Sequence, residues 1–343
     1  MEMNSRERIR AILRQEPHDR IGWDFLDPAY QDISVAPEIR LFRPEAAGMT
    51  GWGRYPELLK KVPGFRGEVC MDEFGNVMGR LEGRTKGECV CGALEEGWEL
   101  LDGYRFPEFD AEACRKAVSA RRSEEPARYL LAYLPTAVFS VLRDMRRMAN
   151  ALADTLEEPE AVEEFLARLS VFTLPMLDAL AAGGADGVII CDDWGTQIAP
   201  FISPRSFGAL FQPAYARLAE ACHARGLDFI VHSCGMVYPL VGMLTDAGVN
   251  GFQFDQPELT GSRVWAEEYG RKAAFYCPVD IQKVLAGGDR AFIEKTAAEM
   301  CDVFRENGGN LIAKDYPSLG DIGVEPEWAR WAMDVIAAHS NME

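Results

Sequence analysis

Seven short, near-continuously apolar runs punctuate the chain: Arg20–Phe25, Tyr129–Leu134, Gly187–Cys191, Asp228–His232, Gly251–Asp255, Ala273–Cys277 and Asn310–Lys314. Runs of this length and character predict strands covered on both faces. Between them lie helix-length amphipathic segments. In Pro159–Ala182, residues Val162, Phe165, Leu166, Leu169, Phe172 and Met176 recur at helical spacing. Ser203-Pro204 predicts an N-cap with proline at the first helical position, opening a helix that runs to a terminating Gly226.

Strands alternating with helices imply a parallel sheet with crossover helices. Seven strands approach the eight of a closed barrel, and an eighth can be hidden within residues 30–70, where the pattern is weak. No G-x-G-x-x-G follows any of the strands, so a (β/α)8 TIM barrel (α/β class) is preferred over a doubly wound sheet. Residues 66–105 break the alternation. They are rich in glycine, and Phe74-Gly75-Asn76-Val77 has the character of a hairpin turn. The expected organisation is one barrel domain over residues 1–343 with an antiparallel hairpin insertion at 66–105 beside one end.

Composition narrows the function. The 343 residues carry 36 Lys and Arg against 54 Asp and Glu, a net charge of −18. That excludes a large nucleic-acid footprint, which needs concentrated basic residues. A hydrophobic content of 48% argues against general disorder. The nine cysteines are an odd number in a chain of this length, so reduced thiols in a cytoplasmic protein are expected rather than a disulfide framework. No apolar segment near the N-terminus has the form of a secretory signal, and the longest apolar stretch, Tyr129–Leu142, is broken by Pro135.

The chemistry gathers at the strand ends. Asp24 follows the first run; Asp192, Asp193 and Gln197 follow the third; His232 and Cys234 end or follow the fourth. Asp255 and Gln256 follow the fifth, Cys277 and Asp280 the sixth, and Lys314, Asp315 and Tyr316 the seventh. In a parallel barrel these ends share one face, where active sites are built. A single Asp there is as well explained as a helix cap, but a set containing His and Cys favours a site. His232 and Cys234, two apart on an extended strand, point to the same side and offer nitrogen and sulfur ligands for zinc. Cys277 is the candidate third ligand. Cys222, His223 and Cys301 fall within helices and read as structural, and Cys89 and Cys91 read as packing in the insertion.

Together these residues resemble a family. Ser5-Arg6-Glu7-Arg8 through Pro17-His18-Asp19-Arg20-Ile21 is similar to the opening of the uroporphyrinogen decarboxylase (URO-D) superfamily. Further segments resemble its corrinoid-dependent methyltransferase branch: Asp72-Glu73-Phe74-Gly75-Asn76, Asp192-Asp193-Trp194-Gly195-Thr196-Gln197, Ile202-Ser203-Pro204, His232-Ser233-Cys234-Gly235, Asp255-Gln256-Pro257 and Cys277-Pro278-Val279-Asp280-Ile281-Gln282. The resemblance spans nearly the whole chain and implies a (β/α)8 barrel. The Arg-Gln-Ala-Gly-Arg segment with which true decarboxylases hold substrate carboxylates is missing; Asp24–Tyr30 stands in its place.

The methyltransferase branch implies zinc held by a His-x-Cys pair and a later Cys. His232 and Cys234 match the pair, but Lys314-Asp315-Tyr316 occupies the region of the later Cys, leaving Cys277 or Asp315 to complete the set. The implied activity is zinc-dependent methyl transfer between a small methylated substrate, or a thiol or pterin acceptor, and a corrinoid (methylcobalamin) protein. Asp192 and Asp193 are the expected catalytic residues, and Asp24, Gln197, Asp255, Gln256, Asp280 and Tyr316 the expected substrate-binding ones. The corrinoid is expected on a partner protein, because the chain has no D-x-H-x-x-G segment. A homodimer is a common outcome for such barrels. The alternatives are a uroporphyrinogen decarboxylase-like enzyme and a non-catalytic small-molecule binding protein.

Overall fold

A computed structural model describes residues 3–81 and 86–342. Its main sheet has eight strands: β1 (Gly22–Asp24), β2 (Ile33–Val35), β3 (Tyr129–Tyr133), β4 (Gly187–Cys191), β5 (Asp228–His232), β6 (Gly251–Gln253), β7 (Ala274–Cys277) and β8 (Leu311–Lys314). Their order is β1-β8-β7-β6-β5-β4-β3-β2, and every neighbouring pair is parallel. The two edge strands meet through a bridge between Asp24 and Gln31 and the bond from Asp32 N to Trp23 O, 2.7 Å. The result is a (β/α)8 TIM barrel, nearly closed, with helices outside. The eighth strand lies within 30–70, as the sequence allows, but it is only three residues long.

Strand alternation divides the core in two. Ile33, Tyr129, Leu131, Ile189, Ile230, Ala274, Tyr276 and Ile312 form an interior cluster. The intervening residues, among them Leu130, Val188, Phe229, Val231, Phe252, Phe275 and Cys277, pack under the helices in the larger outer cluster. The helix Ser5–Leu13 stoppers the N-terminal end of the barrel. Asn4 caps it in a reciprocal capping box with Glu7, and Ile9, Ile12 and Leu13, fully buried, complete the interior cluster. Around this stopper, arginines meet buried aspartates at the strand starts. Arg8 and Arg20 bind Asp32, Arg6 and Arg10 bind Asp186, and Arg14 binds Asp228.

Two expectations change. The helix after Ser203 is two helices, Pro204–Leu210 and Gln212–His223, because Pro213 cannot continue the amide ladder of the first. The helix Pro159–Gly183 is long and apolar enough to cross a membrane by length and composition. Its Val162, Phe165, Leu166, Leu169 and Met176 are nevertheless buried in the outer core.

The insertion contains a three-stranded antiparallel sheet of Glu68–Met71, Val77–Arg80 and Glu88–Cys91; residues 82–85 of the 66–105 segment lie outside the described residues. The Asp72 carboxylate closes its first turn by accepting from Asn76 N and Nδ2, both at 2.8 Å. The sheet rests on the helix Val138–Arg146 beyond β3, where the Cys89 thiol donates to Asp144 O at 3.1 Å.

Candidate functional site

Where the strands end at the C-terminal mouth, alternation aims one layer of side chains inward: Asp24, Tyr133, Cys191, His232, Gln253, Tyr276 and Lys314. The register sets these beside one another, with Asp24 opposite Lys314, Cys191 opposite His232, His232 opposite Gln253, and Gln253 opposite Tyr276. The floor beneath is apolar and the layer itself is polar.

His232 is the centre of this layer. Its Nε2 lies 3.5 Å from Cys234 Sγ and 3.4 Å from Asp193 Oδ1. Among the described residues, Asp193, His232 and Cys234 are the one group of three or more metal-ligating side chains whose donor atoms all fall within 4.8 Å of one another. On its other side, Nδ1 of His232 meets Gln253 Oε1. Gln253 Nε2 donates to Asp255 Oδ1 at 2.7 Å, and Lys314 Nζ reaches the same oxygen at 2.9 Å. Tyr276 OH donates to Asp24.

The charges follow from this geometry. Burial works against the His232 imidazolium, but its contacts with Asp193 and Cys234 prevail and hold its pKa well above the ordinary histidine value. Asp193 is the complement. Burial opposes its charge, yet His232 and the backbone N–H of Cys234, 2.9 Å away, bring it down to about 2. Burial pushes the Cys234 thiol up, against the pull of His232. Burial also raises Asp24, outweighing the bond from Tyr276 and the charge of Lys314.

Two crossing loops hold Asp193 and Cys234 together. Gly195 N donates to Cys234 O at 3.2 Å and Met236 N to Thr196 O at 2.7 Å. The crossing is so close that a Cβ on Gly195 would stand 2.6 Å from Met236 N, and one on Gly235 would stand 2.3 Å from Gly195 O. Gly235 also has φ +82°, in the left-handed region. A Gly235→Ala variant is therefore expected to lose about 1–3 kcal/mol of stability, measured by urea unfolding. A variant with the parental midpoint would refute this account of the loop crossing.

Several sequence expectations are corrected. Cys277 follows the inward Tyr276, so it faces out; it is buried in the outer core, and burial lifts its thiol to about 12. It does not join His232 and Cys234, and Asp193 takes the third place. Asp192 likewise follows the inward Cys191 and faces out, fully buried. It accepts from Phe139 N (3.0 Å), Ser140 N (2.7 Å) and Tyr215 OH (2.7 Å). It thereby caps the helix Val138–Arg146, whose own N-cap, Ala137, has no side chain to do so. Asp280 accepts the backbone N–H groups of Glu258, Gln282 and Lys283 at 2.7–3.0 Å and shapes its loop rather than the pocket.

The remaining positions are mixed. Asp24 and Asp255 face the mouth, and Tyr316 packs near Lys314, with 5.9 Å from Nζ to its ring centre. Gln256 Oε1 accepts from Gly235 N at 3.1 Å and so braces the Cys234 loop. Gln197 is exposed at the tip of the loop after β4. Asp315 accepts from Leu26 N at 2.9 Å, away from the His232 group. In the sequence Gln253 is marked only as an amide among the aromatics of Gly251-Phe252-Gln253-Phe254.

Residues 99–314 match the sequence pattern of the family described as Uroporphyrinogen decarboxylase (URO-D). No match is found among curated proteins. Among solved structures, a methyltransferase from Methanosarcina mazei is similar over 98% of this chain and 98% of its own, with TM-score 0.64 and 16% identity. A D-psicose 3-epimerase determined in the presence of D-fructose is similar over 71% of this chain and 90% of its own, with TM-score 0.43 and 12% identity.

Proposed function

The chain belongs to the uroporphyrinogen decarboxylase family, and from that premise we propose that it is a zinc-dependent methyltransferase. In this reading it moves a methyl group between a small methylated substrate, or a thiol or pterin acceptor, and a corrinoid protein. The observation that carries the proposal is the convergence of Asp193, His232 and Cys234 at the barrel mouth.

The donor set fits zinc, which takes imidazole nitrogen, thiolate sulfur and carboxylate oxygen and, in catalytic sites, leaves one position for substrate. Zinc held there would supply Lewis acidity, lowering the pKa of a thiol or polarising a methylated heteroatom. The chain's own residues do the rest. Asp24, raised by burial and bonded to Tyr276 OH, is the mouth carboxyl suited to hold a proton for a departing or incoming heteroatom. Asp255 and Lys314 form the far wall of the pocket.

The same wall argues against tetrapyrrole decarboxylation. Lys314 is the one lysine or arginine in the inward layer and Asp255 already engages it, while the His232 imidazolium is engaged by Asp193, which leaves little for a polycarboxylate substrate. The similarity to the M. mazei methyltransferase adds support at the level of fold. A corrinoid-bearing partner would dock over the mouth, whose rim presents Leu26, Val35, Tyr133 and Ile198, exposed by 47–86%.

The test is methyl transfer from or to methylcobalamin by the zinc-loaded protein, run beside an assay with uroporphyrinogen. Methyl transfer is the expected result; turnover of uroporphyrinogen alone overturns it. Zinc affinity is also expected to rise with pH. Binding displaces the proton of His232, whose pKa is raised, and that of Cys234, raised as well. Each displaced proton strengthens apparent affinity by about tenfold per pH unit below its pKa. Chelator competition at acid, neutral and alkaline pH reads this slope, and a flat profile excludes ligation by these two groups.

A further inference from the structure

The amide of Gln253 has no part in that scheme. It is buried, it lies between the ring of His232 and the carboxylate of Asp255, and its orientation is not free. Asp255 Oδ1 accepts from Lys314 Nζ at 2.9 Å. An ammonium only donates and a carboxylate only accepts, so the amide NH2 of Gln253 must turn toward Asp255. The carbonyl Oε1 is then left facing Nδ1 of His232. A carbonyl oxygen accepts only, so the partner nitrogen must carry a hydrogen.

We propose that Gln253, oriented by Asp255 and Lys314, is a positioning residue that keeps a proton on Nδ1 of His232 and reserves the lone pair of Nε2 for whatever Asp193 and Cys234 bind. The chain Lys314–Asp255–Gln253–His232 spans the mouth from β8 to β5, so a cation on one wall dictates the tautomer of an imidazole on the other. Outer partners that fix ring orientation in this way are worth about 10–100-fold in metal affinity.

The consequence for metal rests on the zinc reading above, but the tautomer does not, and the two are tested separately. The chain has four histidines, so in protein labelled with 15N-histidine the His232 ring signals are assigned by comparison with His232→Ala. The tautomer is read in metal-free protein at a pH above the ring's titration. Wild type is expected to show Nδ1–H: Asp193 Oδ1 favours a proton on Nε2, but from 3.4 Å, whereas Gln253 Oε1 is in direct hydrogen-bond contact with Nδ1. Gln253→Leu, which removes the acceptor, is expected to shift the ring toward Nε2–H, while Gln253→Glu, which keeps an acceptor, is expected to retain Nδ1–H. In parallel, Co2+ titrations are expected to show affinity lowered about 10–100-fold in Gln253→Leu and substantially recovered in Gln253→Glu.

A wild-type ring protonated on Nε2 overturns the proposal whether or not either variant folds. So does a Gln253→Leu ring that stays on Nδ1. A tautomer that behaves as expected in a protein that binds no Co2+ leaves the relay standing and removes the metal reading instead.

Discussion

A Cys234→Ala variant is expected to fold as the parent does, bind zinc at least 100-fold more weakly and lose methyl transfer by about 1,000-fold or more. Its cysteine is half-buried on a loop, and the fold does not depend on its sulfur. The loss follows from removing one of the three proposed ligands, which costs more than the roughly 10–100-fold of an outer partner. It also follows from forfeiting several kcal/mol of Lewis-acid stabilisation, at about 1.4 kcal/mol for each factor of ten. His232→Ala is expected to behave alike, and Cys277→Ala is expected to keep its zinc because that thiol faces the outer core. Metal analysis of the three variants after identical zinc reconstitution decides the matter. A Cys277→Ala protein that loses zinc while Cys234→Ala retains it would reverse the ligand assignment.

Asp192→Ala is expected to fail differently, through stability. The carboxylate is fully buried and accepts from two backbone N–H groups at the start of the helix Val138–Arg146 and from Tyr215 OH, which in turn accepts from Trp194 Nε1 at 2.7 Å. Alanine leaves these three donors buried without an acceptor, at about 1–3 kcal/mol apiece, for a total loss of at least about 3 kcal/mol. Asp192→Asn keeps one acceptor oxygen and is expected to lose about half as much. Urea unfolding measures both. If Asp192→Ala unfolds at the parental midpoint and is merely inactive, the residue acts in chemistry and not as a cap.

Seven of the eight barrel strands were legible because each is a near-continuous apolar run, the mark of a strand covered on both faces. The eighth, Ile33–Val35, was not, since three residues are too few to establish a period. The His232–Cys234 pair was legible for the same reason that Cys277 misled. Alternation puts 232 and 234 on one side of a strand, and it puts 277 opposite its inward neighbour Tyr276, so parity counted from that tyrosine would have turned the cysteine outward. Asp192 and Asp193 were indistinguishable by type and differ only in parity. The contact between Lys314 and Asp255 joins residues 59 apart, and nothing local marks it. Gln253 was hidden in plain view, because an amide within an aromatic strand looks like a tolerated exception until its partners are known.

The helix Ser5–Leu13 that closes the N-terminal end of the barrel bears on traffic. Among the described residues, Ile9, Ile12 and Leu13 fill the barrel interior from below. A small reactant and a bulky carrier would then share the mouth above. A carrier docked on that rim bars the exit of whatever lies beneath it. If the proposed corrinoid partner docks there, visits are taken in turn, and the rate at which it lifts away would set a ceiling on turnover that no improvement in the chemistry can raise.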